Sequence, residues 1–280
     1  MIGTLTITLL LMGGPTQKGV GIAWEHDFGK AMHRARATGQ PLLVDFWADW
    51  CSYCHMLDRT TYVDPTVVQL AKGFVAVKVD TEAHPKGTAL AARYAVDSLP
   101  TIAFLSPSGT MVFRVSGFQG PGQFPRTLRL AKARAEKVMS WEATLKRKPE
   151  DTIALMKLGV HLYDQESYDE SCRLLARARK TDKRLPVPDR KQVRLLLDAM
   201  LYRDREYARS EEVLKEALRL GSEEEYDAKI LYVLGRAYLR WGRKYEARKV
   251  LKKLIERYPE SAMAEQAWDS LVALENRQHP

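Results

Sequence analysis

Cys51 and Cys54 are two of the three cysteines in this 280-residue chain, and two residues separate them. A pair at that spacing can close a disulfide, hold a haem through thioethers, or supply half of a tetrahedral metal site. Before it, Leu42-Leu43-Val44-Asp45-Phe46-Trp47 is the mostly apolar run of a buried strand, and a helix is expected from about Ser52. Cys51 then stands at a helix N-terminus, where unpaired N–H groups and the helix dipole stabilise a thiolate. Cys54 follows one turn later, more buried and within reach of its partner. That order suits attack on a substrate disulfide by Cys51 and release of the mixed disulfide by Cys54.

Three other readings compete. Cys51-Ser52-Tyr53-Cys54-His55 also fits the short pattern of c-type haem attachment. A haem site wants a helical wrap and a second axial ligand, whereas this motif follows a strand. Zinc wants four ligands, and the third cysteine, Cys172, lies far along the chain. His26, His33, His84, His161 and His279 show no metal-ligand spacing with one another. The fourth reading is two incidental cysteines.

Residues 22–139 alternate strand and helix signals. Ile22 to Trp24 reads as a short strand, and Asp27 caps a helix reaching about Thr38. Asp64-Pro65 starts another helical turn, because proline suits the first helical position. Phe74 to Val79 reads as a second buried strand and Pro85 to Tyr94 as a helix. Thr101 to Leu105 and Met111 to Val115 form a hairpin around Ser106-Pro107-Ser108-Gly109, and a last helix covers about Gln123 to Met139. This order predicts an α/β sheet, parallel at first, with an antiparallel hairpin at one end.

From Ser140 the strand signals give way to helical periodicity, and one pattern recurs. Leu155, Leu158, Gly159 and Leu162 precede Tyr168, Ser171, Leu175 and Ala178. Leu197 and Leu201 precede Tyr207, Ser210, Leu214 and Ala217; Leu231, Leu234, Gly235 and Tyr238 precede Ala247, Leu251 and Leu254. The small residues 171, 210 and 247 are 39 and 37 residues apart. The pattern resembles tetratricopeptide repeats, whose period is 34 residues. The extra length is expected in loops at Lys180–Arg190 and Gly221–Asp227, Asp198 stands where glycine is usual, and Ala262–Glu275 reads as a capping helix. Cys172 is expected as a buried structural thiol.

Charged residues make up 28% of the chain and the net charge is +9, spread as +5 over residues 1–139 and +4 over 140–280. With no basic tail, a nucleic-acid partner is not expected, and no apolar run reaches the ~18–20 residues of a membrane span. Residues 2–12 are apolar apart from threonines and end at Gly13-Gly14-Pro15, like the core of a secretory signal, so residues 1–21 are a candidate signal segment. No Lys or Arg precedes that run, and no clean small-x-small site follows it. Export to the periplasm is the expectation, with a cytoplasmic protein as the alternative.

The stretch Val44-Asp45-Phe46-Trp47-Ala48, Trp50-Cys51 and Cys54 resembles the active site of thioredoxins. Ser98-Leu99-Pro100-Thr101, with Pro100 46 residues after Cys54, resembles their cis-proline loop. Trp24, Ala31, Ala35, Pro41-Leu42-Leu43-Val44 and Gly117-Phe118 look most like the C-terminal domain of thiol:disulfide interchange proteins. The resemblance implies an α/β thioredoxin fold at about 22–139, followed by an all-α tetratricopeptide-repeat domain at 140–280. It implies Cys51 as attacking thiol, Cys54 as resolving thiol, and Asp45 as the buried carboxylate that shuttles the Cys54 proton. Pro100 would hold an extended substrate segment, and Trp50 would flank Cys51 and shape the docking surface. No cofactor and no metal are implied. Ser52-Tyr53 replaces the Gly-Pro of ordinary thioredoxins, and His55 stands where lysine is common. The expected partners are protein disulfides or dithiols, an upstream thiol reductant, and a protein recruited by the repeats. The alternative is a repeat adaptor or scaffold whose thioredoxin-like part serves only for docking.

Overall fold

A computed structural model describes residues 21–276; the candidate signal segment lies almost wholly outside them. The chain divides at Glu136/Lys137 into two compact units. In the first, helix α1 (Phe28–Thr38) leads to strand β1 (Leu42–Trp47) and helix α2 (Ser52–Met56), which continues as a π-helical turn over Leu57–Thr61. Helix α3 (Pro65–Ala71), strand β2 (Val75–Asp80), helix α4 (Pro85–Arg93), the hairpin β3 (Thr101–Leu105) and β4 (Met111–Ser116), and helix α5 (Phe124–Arg147) follow. The sheet order is β2-β1-β3-β4. β1 pairs parallel with β2 and antiparallel with β3, and β3 pairs antiparallel with β4.

Local chemistry accounts for several of these ends. The Lys30 N–H donates to Asp27 Oδ1 at 2.9 Å, capping α1. Asp64 caps α3 and His84 caps α4, each followed by a proline that needs no N–H partner there. One face of the sheet buries Leu42, Val44 and Phe46 with Val75, Val77 and Val79 against Ala31 and Ala35 of α1. Ile22–Trp24, expected as a strand, is not one: only an isolated bridge between Glu25 and Val77 forms beside β2.

The second unit is helical. Hairpins pair α6 (Thr152–Asp164) with α7 (Tyr168–Thr181), α8 (Val187–Arg203) with α9 (Tyr207–Leu218), and α10 (Glu224–Arg240) with α11 (Lys244–Arg257); α12 (Ala262–Asn276) closes the series. A Cβ on Gly159 would sit 2.8 Å from Leu175 Cδ2, and one on Gly235 only 2.5 Å from Leu251 Cδ2. Glycine thus lets each first helix touch its second. In the middle hairpin Asp198 replaces that glycine, and its carboxylate accepts a hydrogen bond from the Ser210 hydroxyl of the facing helix.

The extra repeat length does not lie in loops at Lys180–Arg190 and Gly221–Asp227. α7 reaches Thr181, a 3-10 turn covers Asp182–Arg184, and α8 begins at Val187; α10 begins at Glu224. Within those two segments Asp182 and Asp227 are buried and paired. Lys191 and Arg194 are buried, Lys191 bonding Asp227 and Arg194 bonding Asp182 and Glu216. Among the described residues no helix is long and apolar enough to cross a membrane.

Candidate functional site

β1 delivers its chain to the C-terminal edge of the sheet, and the turn Ala48–Trp50 places Cys51 as the N-cap of α2. The Cys54 N–H donates to Cys51 Sγ at 3.2 Å, and the His55 N–H to the Cys51 carbonyl at 3.2 Å. The two cysteines are joined as a disulfide with Cα atoms 5.3 Å apart. Both sulfurs are therefore used by each other. Cys51 keeps 3% exposure while Cys54 is fully enclosed.

Asp45 is fully buried on β1, on the sheet face opposite the Val44 and Phe46 cluster. It is the register partner of Lys78 on β2. Lys78 Nζ lies 3.0 Å from Asp45 Oδ2 and 2.6 Å from Asp58 Oδ1. The approach to Asp45 is not aligned as a hydrogen bond, so both its oxygens lack an aligned donor. The same ammonium sits 5.4 Å from the Trp24 and Trp47 ring centres and 5.5 Å from that of Tyr62. Burial raises the Asp45 carboxyl above the usual carboxylate range, with the Lys78 charge pulling it back. Burial and the negative charge of Asp45 hold the Tyr62 phenol well above its ordinary value.

The Leu99–Pro100 peptide is cis and Pro100 is buried. Thr101, the next residue, pairs with Phe46, so the loop reaches the sheet edge from which the Cys51 turn departs. Trp50 is 66% exposed, and its indole N–H donates to Glu82 Oε1 at 3.0 Å. Tyr53 and Met56 are exposed beside it on the same short segment.

A family model described as a thioredoxin-like domain matches residues 28–132, and one described as a tetratricopeptide repeat matches 138–186 and 200–262. The chain joins a thioredoxin-like domain to tetratricopeptide repeats.

The domain is 39% identical over 98 residues to "Thiol:disulfide interchange protein DsbD" of Klebsiella pneumoniae, covering 34% of this chain and 16% of that protein. It is 36% identical over 80 residues to "Thiol:disulfide interchange protein DsbD 1" of Pseudomonas aeruginosa, covering 28% and 14%. The chain thus spans less than a fifth of these relatives' length. Among solved structures, a thioredoxin from Thermus thermophilus is similar at 29% identity and TM-score 0.38, over 41% of this chain and 90% of that one. The oxidised C-terminal domain of DsbD from Neisseria meningitidis is similar at 25% identity and TM-score 0.35, over 38% and 97%.

Sequence reasoning missed Lys78, Asp58, Tyr62 and Glu82 of the thioredoxin-like domain. Two signals could have found Lys78 and Asp58; Tyr62 and Glu82 carry none in the sequence. Lys78 is the one cation in the run Val75–Val79, as Asp45 is the one acid in Leu42–Trp47. Asp58 is four residues after Cys54, the spacing that repeats a helix face. His55 neither points free into solvent nor pairs with a carboxylate: its Nε2 lies 2.7 Å from the Asp49 carbonyl, which requires that nitrogen to carry its proton. Its ring rests 6.2 Å from that of Trp47. Cys172 is half-buried rather than buried, and its partial burial pushes the thiol up.

Proposed function

We propose that the protein is a thiol–disulfide oxidoreductase that exchanges protein disulfides through Cys51 and Cys54, and that its repeats recruit the protein partner. The observation that carries this reading is the Cys51–Cys54 disulfide at a helix N-terminus, on the same domain as the buried Asp45–Lys78 pair. In the dithiol form the Cys51 thiolate attacks one sulfur of a substrate disulfide. A Cys51–substrate disulfide forms and the other substrate sulfur leaves as thiolate. Asp45, as carboxylate, accepts the Cys54 proton, and the Cys54 thiolate attacks Cys51 Sγ. The Cys51–Cys54 bond forms, the second substrate sulfur leaves, and two electrons have passed to the substrate. An upstream dithiol runs the same steps in reverse and restores the pair. Pro100 holds an extended substrate strand at the sheet edge, and exposed Trp50, Tyr53 and Met56 give it an apolar seat.

The periplasm is the compartment this reading favours. The domain's similarity to thiol:disulfide interchange proteins supports that, and so does the apolar segment 2–12. An alkaline-phosphatase fusion at about residue 40 should be active in a bacterial host; a stable, inactive fusion would place the protein in the cytoplasm.

Insulin reduction with dithiothreitol tests the chemistry. Turnover that Cys51→Ser abolishes is the expected result. No turnover and no titratable redox couple would favour the scaffold reading. Cys54→Ser tests recruitment, because mixed disulfides on Cys51 should then persist and can be identified by mass spectrometry. A small, specific set of conjugates is expected.

A further inference from the structure

The segments around the Cys51–Cys54 disulfide carry charge of one sign. Strand pairing decides which segments those are. Trp47 ends β1 beside Asp80, the last residue of β2, and Phe46 pairs with Thr101, the first of β3. Thr101 pairs in turn with Ser116, the last of β4, and the Gly117 N–H donates to the Pro100 carbonyl at 2.8 Å. One edge of the sheet therefore holds residues 48–56, 81–84, 94–100 and 117–123. These segments contain Asp49, Glu82 and Asp97 and no Lys or Arg, in a chain whose net charge is +9.

All three acids are exposed, and among the described residues none has an ion-pair partner. Asp80 accepts the N–H groups of Glu82 and Ala83 at 2.9 Å, which fixes the turn that presents Glu82. Glu82 accepts the Trp50 indole N–H, a neutral donor that leaves its charge in place. Trp50 directly precedes Cys51, so that charge stands at the rim of the disulfide. Asp49 lies two residues before Cys51, and Asp97 three before Pro100. Nearby cations are engaged elsewhere. Lys78 sits between Asp45 and Asp58, the Lys86 charge acts on Asp27, and the Arg93 guanidinium carbon lies 5.4 Å from the Tyr94 ring centre. Arg59 is on the π-helical turn, beyond these segments. Acids alone would define no site; these border a disulfide and the exposed apolar side chains Trp50, Tyr53 and Met56. A field of one sign around a docking surface speeds encounter with the opposite charge by about 10–10³ and repels its own.

We propose that this edge selects cationic partners: polypeptide segments in which Lys or Arg flank the cysteine that exchanges with Cys51. The apolar side chains seat the segment, and Asp49, Glu82 and Asp97 meet its charges. The assignment rests on the oxidoreductase reading and names its substrate class.

Two disulfide-linked peptide dimers test it: acetylated, amidated Gly-Lys-Lys-Cys-Lys-Gly and its counterpart with glutamate for lysine. The full chain, reduced with dithiothreitol and desalted, passes two electrons from Cys51 and Cys54 to the dimer. The Cys51–Cys54 bond forms, the dimer's disulfide breaks, and mass spectrometry counts the two thiol peptides released. Rates with dithiothreitol alone correct for the intrinsic reactivity of each dimer. At about 0.01 M salt, where the screening length is about 30 Å, the lysine dimer should react about tenfold faster or more. At about 1 M salt, where that length is about 3 Å, the ratio should fall below about threefold. Joint Asp49→Asn, Glu82→Gln and Asp97→Asn should lower the low-salt ratio to the same degree, and Glu82→Gln keeps an oxygen for the Trp50 indole. Any change in Cys51 itself cancels in the ratio, since one thiolate serves both dimers. The three positions are exposed, and unchanged far-ultraviolet circular dichroism would show that the variant folds. A ratio near one in the parent, or one that neither salt nor the triple variant lowers, would overturn the assignment while disulfide exchange stands. Reduction of neither dimer by the parent would overturn the oxidoreductase reading, and this assignment with it.

Discussion

The Lys78 ammonium lies between two acids, 3.0 Å from the buried Asp45 and 2.6 Å from the partly exposed Asp58. Facing strands put Lys78 beside Asp45, and the π-helical turn after Cys54 brings Asp58 to its other side. Removing one member of a buried pair typically costs about 3–5 kcal/mol, because the remaining charge is left uncompensated. Lys78→Met should therefore destabilise the protein by about 3 kcal/mol at pH 8. The loss should shrink in mild acid, where Asp45 can protonate. Urea titrations at pH 8 and pH 5 measure both; an equal loss at the two would mean that packing, not charge, is what Lys78 supplies.

Asp45→Asn should slow disulfide turnover by tenfold or more while leaving the Cys51 alkylation rate nearly unchanged. General acid–base steps are typically worth about 10²–10⁴ in rate, and in the proposed exchange Asp45 takes the Cys54 proton and no part in the Cys51 attack. The same substitution also reads the carboxyl's raised pKa. An acid whose native pKa lies above its unfolded value binds its proton more tightly when folded, so stability falls as pH rises through that range. Asp45→Asn leaves Lys78 paired with Asp58, unlike the loss of Lys78, which strands Asp45, so it should gain stability over the parent at pH 8 and little at pH 4. Unaltered insulin turnover in the variant would reduce Asp45 to a structural residue.

In Cys54→Ser, the Cys51 thiol should titrate below the ~8.5 of a free cysteine, because Cys51 is the N-cap of α2. Thiolate absorbance against pH reads it directly. A value at or above that of the free thiol would remove the helix N-terminus as the source of reactivity.

Asp198 should make the stability of the repeat unit depend on pH. Burial raises its carboxyl to about 6, against an ordinary 3.8. The folded state thus holds the proton more tightly, and stability is lost as pH climbs from about 4 through about 6. Asp198→Asn keeps an acceptor for Ser210 and removes the charge. It should be more stable than the parent at pH 7.5 by on the order of 2–3 kcal/mol, with little difference near pH 4. Thermal melts across that window would expose a parallel pH profile in the two proteins, the outcome that rules Asp198 out.

The hairpin turns offer a backbone test. Glu166, Arg205 and Gly242 occupy equivalent turn positions with φ of 61°, 61° and 82°. That left-handed conformation costs a non-glycine L-residue roughly 1–2 kcal/mol, and glycine gives part of this back as chain entropy. Arg205→Gly should stabilise the protein by about 0.5–1 kcal/mol, and Gly242→Ala should destabilise it by a similar amount. Chemical denaturation of the two variants checks the pair of signs.

Much of the molecule follows from short-range rules in its sequence. Asp27, Asp64-Pro65 and the Ser106–Gly109 turn mark their own element ends, because caps and turns act over three or four residues. The apolar run Leu42–Trp47 and the Cys51/Cys54 spacing fix a strand, a helix start and a thiol pair in reach of each other. The spacing of Gly159 and Gly235 with Leu175 and Leu251 marks the helical hairpins. What only the tertiary structure decided are relationships between residues far apart in the chain. Lys78 is 33 residues from Asp45, and strand pairing alone brings them together. Glu82 reaches the Trp50 indole because β2 ends beside β1. Lys191 is 36 residues from Asp227, and only the packing of α8 against α10 buries them as a pair. A sequence states which residues carry charge; only folding states which of those charges meet, and burial then sets how much each meeting matters.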